Sequence, residues 1–177
     1  MDRALLAAAY DRSAAGYDAR FRELQRVKFR AAAPLLRPLR AGALGLDAGG
    51  GTGLFIEWAR EEAPQLAAAR WLVLDLSLGM LRVARSRTPL LAAADLSRLP
   101  LRHADLICAF TSLLDEVAPR LRELGSALAP GGQLVASFLA AESPDKAFVA
   151  RASGLTLEAG PIAAGQDRLF VLKRNAP

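Results

Sequence analysis

A glycine cluster that follows the apolar run at residues 44–48 restricts the architecture more than any other stretch. It reads Asp47-Ala48-Gly49-Gly50-Gly51-Thr52-Gly53. A strand that ends in glycines and runs into a helix lets the backbone approach a ligand closely. It also points helix N–H groups at that ligand. Spacing sorts the ligands. A dinucleotide fingerprint, Gly-x-Gly-x-x-Gly, begun at Gly49 needs glycine at position 54, where the chain has Leu54. A P-loop needs a Gly-Lys-Ser/Thr ending, and no lysine is near. What stands there is Asp-x-Gly-x-Gly-x-Gly, at Asp47, Gly49, Gly51 and Gly53. A carboxylate at the strand end suits a ligand bearing an ammonium group and is ill suited to a pyrophosphate. Alone, such a cluster reads more readily as a tight strand-to-helix turn.

The rest of the chain gives the cluster its context. Residues 71–75, 90–94, 104–110 and 133–139 are short apolar runs expected as strands. Between them, Phe55, Ile56 and Ala59, then Met80, Leu81 and Ala84, recur at helical spacing. Arg82, Arg85 and Arg87 are expected to face water. Residues 113–128 read as a helix stopped by Ala129-Pro130-Gly131-Gly132, and 145–152 as a short helix. Residues 155–159 and 168–173 read as strands joined by a Pro/Gly-containing turn, too close for a helical crossover and so antiparallel. Strands alternating with helices predict a parallel sheet covered on both faces.

At 177 residues one domain is expected, large enough for a core without disulfides or structural metal. A single cysteine, Cys108, excludes an internal disulfide, and one His with one Cys argues against a transition-metal centre. No apolar run approaches the roughly 20 residues needed to span a bilayer. The first ten residues lack a signal-peptide pattern, so cytoplasm is the simplest compartment. The net charge is +5, and it is N-terminal: residues 1–40 carry nine basic and four acidic residues, while residues 41–177 carry 14 of each.

With Asp75 and Asp95 each following a strand, the sequence resembles the class I S-adenosylmethionine-dependent methyltransferases, of the type 11 kind. Their first motif reads Asp/Glu-x-Gly-x-Gly-x-Gly. Asp75 ends Trp71-Leu72-Val73-Leu74-Asp75 and stands 22 residues past Gly53, where the family has its ribose-binding carboxylate. Leu76 and Met80 fall where relatives pack apolar side chains on adenine. Ala94-Asp95-Leu96 matches the Asp that takes the adenine amino group, and Phe110 ends the fourth strand at the cofactor. Leu128-Ala129-Pro130-Gly131-Gly132 looks like the family's entry to the fifth strand. Tyr10-Asp11-Arg12-Ser13-Ala14-Ala15-Gly16-Tyr17-Asp18 resembles the opening of the quinone-biosynthesis and biotin-pathway branch, whose segment folds over the pocket.

The resemblance implies a Rossmann-like α/β fold of seven mostly parallel strands, order 3-2-1-4-5-7-6, with helices on both faces and the last strand antiparallel. It implies one domain over residues 1–177, with 1–40 a basic helical cap and 41–177 the cofactor-binding core. The cofactor would be S-adenosylmethionine and the product S-adenosylhomocysteine, with no metal. The expected activity is methyl transfer to O, N or C of a small molecule by in-line displacement. Alignment and water exclusion would do most of the work. The nucleic-acid amino-methyltransferase motif Asp/Asn/Ser-Pro-Pro-Tyr/Phe/Trp is absent. Tyr17, Asp115 and Glu116 are the candidates for a catalytic role, and helix-start acids are more often dipole partners.

Arg22, Arg26 and Arg30 recur every four residues and share a helix face, with Phe21, Leu24, Val27 and Ala31 on the other. That stripe reads either as a solvated face or as capture of an anionic or carrier-bound substrate. Three charges without interleaved aromatics do not predict nucleic-acid binding. Only about fifteen residues, 140–154, separate the fifth strand from the final hairpin, so the lid is expected from residues 1–30 or from a second copy in a homodimer. The rival readings are an RNA or protein methyltransferase using the basic N-terminus, and a non-catalytic cofactor-binding scaffold. Shared fold alone cannot separate them.

Overall fold

The computed structural model describes residues 2–176. Its strands are β1 (Leu44–Ala48), β2 (Arg70–Asp75), β3 (Leu90–Ala93), β4 (Ala104–Phe110), β5 (Leu128–Leu139), β6 (Thr156–Ala164) and β7 (Asp167–Lys173). They form one sheet in the order β3-β2-β1-β4-β5-β7-β6. The first five run parallel, and β7 is antiparallel to both β5 and β6. The helices are α1 (Arg3–Ala32), α2 (Leu54–Glu62), α3 (Leu78–Ala84), α4 (Val117–Ala127) and α5 (Lys146–Ser153). Among the described residues no helix is long and apolar enough to cross a membrane.

Alternation along the strands divides the core. Cys108 and Phe110 of β4 point with Val73 and Val171 to one face, covered by Phe29 of α1, Phe55 and Trp58 of α2, and Leu81 and Ala84 of α3. Ile107 and Ala109 point with Leu46, Leu74 and Leu172 to the other, covered by Leu121 and Leu124 of α4 and Val149 of α5. The rings of Phe29, Phe55 and Phe110 meet in pairs with centroids 4.9–5.4 Å apart. Truncating one of these to alanine would cost about 3–5 kcal/mol.

Three boundaries differ from the sequence-based expectation. The helix expected over 113–128 begins only at Val117, because Glu116 takes a left-handed φ of 46° and Pro119 suits a first turn. The Pro-Gly-Gly stretch at 130–132 belongs to β5 as an irregularity, where pairing jumps from Ala104↔Leu128 to Leu106↔Gln133. Pro161 lies inside β6, and the hairpin turns instead at Gly165-Gln166.

The basic stripe differs most. Arg22 pairs with Glu57; Arg26 meets Glu61 at 2.5 Å and Glu62 at 3.1 Å; Arg30 meets Glu62 at 2.8 Å. The stripe is a seam between α1 and α2, so its charges are spent within the chain. Arg30 stays half exposed, but the cations are paired and not free for an anionic substrate. Arg87, expected in water, is also drawn in. Its guanidinium meets Asp18 and Glu57 at 2.6 Å and the Thr52 carbonyl at 2.8 Å. Val27 is 44% exposed, whereas Lys28, Phe29 and Ala32 are buried. With its arginines against α2, the helix is rotated so that the next face looks inward.

Candidate functional site

The glycine cluster turns the chain from β1 into α2 over the C-terminal edge of the sheet, where ligands of open α/β sheets bind. The Gly49 and Gly50 N–H groups donate to the Leu74 carbonyl, at 2.7 and 3.2 Å. Gly49 has φ of 68°, and a Cβ there would lie 2.4 Å from the Ser112 Cβ. A Cβ on Gly50 would lie 2.4 Å from the Asp47 carboxyl. The extra glycine is therefore what lets Asp47 fold under the loop.

Three carboxyl groups stand at or just past the C-terminal ends of β1, β2 and β3. Asp47 is buried, with Oδ2 unpartnered in the protein, and burial, helped by the charge of Asp75, pushes its carboxyl up to about 8. Asp75 accepts from the Gly51 N–H at 2.9 Å and the Ser77 N–H at 2.8 Å, yet burial still raises its pKa. Asp95 accepts from the Ser97 N–H at 2.8 Å and meets Arg3 at 2.7 Å. Burial works to raise the Asp95 pKa, but the Ser97 hydrogen bonds and the charges of Arg3 and Arg120 outweigh it and leave it lowered.

These groups surround a cavity of about 330 Å³. Of the residues singled out in the sequence, Gly49, Gly51, Asp75, Leu76, Met80, Asp95, Leu96, Phe110 and Tyr17 line it. Asp47 lines a smaller adjoining space of about 40 Å³, whose walls share Tyr17, Gly49, Gly51 and Phe110 with the first. Gly53 lines neither and instead starts α2 with a left-handed φ of 79°. Asp115 and Glu116 are not among the lining residues. Asp115 pairs with the buried Arg120 at 2.6 Å, and Glu116 pairs with Arg3. Both serve as ion-pair partners at the rim. His103 is an exposed loop residue and Cys108 is buried in the sheet.

Helix α1 roofs the cavity with Leu6, Ala7, Tyr10, Tyr17, Phe21 and Leu24. Its position is fixed by polar contacts to the glycine loop and to the start of α3. Asp18 accepts from the Thr52 hydroxyl at 2.6 Å, and Asp11 accepts from the Ser77 hydroxyl and the Gly79 N–H, each at 2.6 Å. Both aspartates belong to the Tyr10–Asp18 motif. The Tyr17 hydroxyl accepts from Gln25 at 3.3 Å, and its ring lies 4.8 Å from that of Phe21.

Sequence reasoning missed one cluster. Lys28 of α1 lines the cavity beside Thr111 and Asp167. Its ammonium donates to the Thr111 hydroxyl and lies 3.3 Å from Asp167 Oδ2. Burial lowers the lysine pKa, while Asp167 works to raise it. Asp167 opens β7, far along the chain, so no local spacing could have joined the two. The available signal was a lysine between Val27 and Phe29 in a segment whose other cations are arginines.

The residues present suit S-adenosylmethionine. A buried carboxyl without a partner fits its ammonium, a carboxylate braced by loop N–H groups fits the ribose hydroxyls, and apolar Leu76, Met80 and Leu96 fit the base. Among the described residues no group of three or more His, Cys, Asp or Glu side chains is arranged to hold a metal ion.

A methyltransferase-domain family model matches residues 46–132, from the glycine cluster to the start of β5. No curated protein sequence matches the chain. Solved structures do. A chain of the complex between the Haloferax volcanii Trm112 methyltransferase activator and a putative methyltransferase superposes with a TM-score of 0.76 at 18% identity, over 94% of this chain and 97% of that one. Magnesium protoporphyrin IX methyltransferase from Synechocystis PCC 6803, with bound S-adenosylhomocysteine, gives 0.71 at 18% identity, over 99% and 100%. The N-methyltransferase NodS from Bradyrhizobium japonicum WM9, also with S-adenosylhomocysteine, gives 0.67 at 21% identity, over 95% and 97%. The chain thus carries a methyltransferase domain over residues 46–132 and shares the fold of S-adenosylmethionine-dependent methyltransferases.

Proposed function

We propose that the cavity under α1 takes S-adenosylmethionine and a small-molecule acceptor side by side, and that methyl transfer occurs there with water excluded. The observation that carries this is the placement of Asp75 and Asp95 on one roofed cavity and of Asp47 on the small space adjoining it, from three adjacent strand ends. Asp47 would hold the ammonium group, Asp75 both ribose hydroxyls and Asp95 the adenine amino group, with Gly49 and Gly51 allowing close backbone approach. When bound, the cofactor supplies a methyl group already activated on a sulfonium.

The chain's own work is then placement. Leu76, Met80 and Leu96 hold the base, and Phe110 and Tyr17 lie on the walls shared by the two spaces. The α1 side chains close the acceptor side and keep water from the reacting atoms, whose alignment at about 3–3.5 Å supplies most of the acceleration. A roofed cavity favours a small acceptor over RNA or protein, and the paired arginine seam removes the basic face that a nucleic acid would need. The likeness of residues 10–18 to the quinone and biotin branch supports the same role for α1.

The test is calorimetry with S-adenosylhomocysteine on wild type and Asp75→Ala. Loss of a carboxylate that accepts from two hydroxyls is expected to weaken binding by about 30–100-fold, or about 2–3 kcal/mol. Equal affinities would remove Asp75 from the site.

A further inference from the structure

The cluster of Lys28, Thr111, Ser137 and Asp167 is not needed to hold the cofactor. It brings a buried ion pair to the C-terminal ends of β4 and β5 and the start of β7. Asp167 Oδ2 accepts from the Thr111 and Ser137 hydroxyls, each at 2.6 Å, and faces the Lys28 ammonium at 3.3 Å. All three donors crowd one oxygen. The other, Oδ1, is buried with no partner in the protein, although Asp167 lines the cavity.

A pair that served only to pin α1 to the sheet would be expected to satisfy both oxygens. An unsatisfied oxygen on a fully buried carboxylate calls for a specific explanation. The surrounding walls narrow what could meet it. Tyr17, Phe21, Leu24, Leu114 and Leu139 make the acceptor side apolar and partly aromatic. Their company suits a flat apolar molecule with one polar donor.

Resting on the function proposed above, we infer that the acceptor is an apolar, aromatic-type molecule bearing a hydroxyl, and that Asp167 Oδ1 receives the hydroxyl proton. As methyl transfer proceeds, the acceptor O–H bond breaks and its proton passes to Asp167 Oδ1. The oxygen forms the new O–CH₃ bond, and the electron pair of the methyl–sulfur bond stays on sulfur, giving the neutral thioether. The Lys28 ammonium lies beside the developing negative oxygen and opposes its charge. Thr111 and Ser137 keep the carboxylate turned so that Oδ1 remains free.

The test uses naphthol and its methyl ether as probes on protein saturated with S-adenosylhomocysteine, so no turnover is required. Wild type is expected to bind naphthol about tenfold more tightly than the ether, because only naphthol donates to Oδ1. Bound naphthol should also emit as the naphtholate, reporting a proton acceptor at the hydroxyl. Asp167→Asn is expected to abolish both the preference and the naphtholate emission while leaving S-adenosylhomocysteine affinity unchanged. No preference in wild type, including failure of both probes to bind, overturns the inference, and that arm needs no variant to fold. So does a preference that survives in Asp167→Asn. Failure of S-adenosylhomocysteine to bind wild type would instead overturn the cofactor-site reading.

Discussion

The Asp11 carboxylate accepts the Ser77 hydroxyl hydrogen at 2.6 Å, although 66 residues separate the two. Ser77 is also the N-cap of α3, its hydroxyl accepting from the Met80 N–H at 3.0 Å. Asp11 therefore stabilises the first turn of α3 from outside, where a negative charge is favoured. The same contacts hold the Asp11 pKa below the usual carboxylate range. A depressed folded-state pKa contributes stability that is present at neutral pH and lost as pH falls below about 4. Asp11→Asn is expected to lower the urea midpoint at pH 7, with the difference from wild type shrinking progressively as pH falls below about 4, read by circular dichroism.

Gly49→Ala should be among the more damaging single-methyl changes in the chain. It asks a left-handed φ of a residue with a Cβ and drives that Cβ into Ser112. Strain of this kind costs about 1–3 kcal/mol. Pairing it with Ser112→Gly is expected to return the steric part and leave the backbone part. Urea unfolding of both singles and the double separates the two. Full recovery in the double would show that φ carries no cost there.

Asp47 ties folding to pH in the opposite sense from Asp11. Its folded-state carboxyl is raised to about 8, so the folded chain holds a proton that the unfolded chain releases near 4. Stability should fall as pH rises between those values, by at most about 1.4 kcal/mol per pH unit. Asp47→Asn is expected to flatten that slope. If Asp47 meets the cofactor's ammonium, binding of S-adenosylhomocysteine near pH 7 should also release a proton, measured by calorimetry in two buffers. The variant should release none.

Replacing Arg22, Arg26 and Arg30 together by glutamine tests the seam between α1 and α2. Thermal midpoints should drop most at low salt and converge with wild type as salt rises. Glu62, held down to about 2 chiefly by its Arg30 hydrogen bond, should keep its part of the seam intact until strongly acidic pH. Affinity for S-adenosylhomocysteine reports whether the stripe also meets a ligand, and none of the three arginines lines the cavity. An unchanged affinity is the expected result.

The fold was legible because its signals are local. A glycine cluster after an apolar run, acids closing the next two strands and two segments too close for a crossover marked the elements, while the order β3-β2-β1-β4-β5-β7-β6 followed from the family resemblance those residues carry. The aspartates proposed to hold the cofactor are legible for the same reason, since Asp47, Asp75 and Asp95 each sit at or beside the end of their own strand. The acceptor side is not. Lys28 and Asp167 lie 139 residues apart, and only the packing of α1 across the sheet brings them together. The arginine stripe misled because periodicity reports which residues share a face, and says nothing of what that face meets. Glu57, Glu61 and Glu62 were visible on α2, but their pairing with α1 depends on how two helices lie side by side.

Among the described residues one helix supplies the cavity's cover, and it is fastened along its length by charges. Arg3 reaches Asp95 and Glu116, Asp11 reaches α3, and the arginines reach α2. Exposed ion pairs loosen as the Debye length shrinks. Ionic strength should therefore control access to the proposed site: a salty solution unfastens the helix that covers the cavity. Entry and exit should quicken with salt before the fold itself gives way.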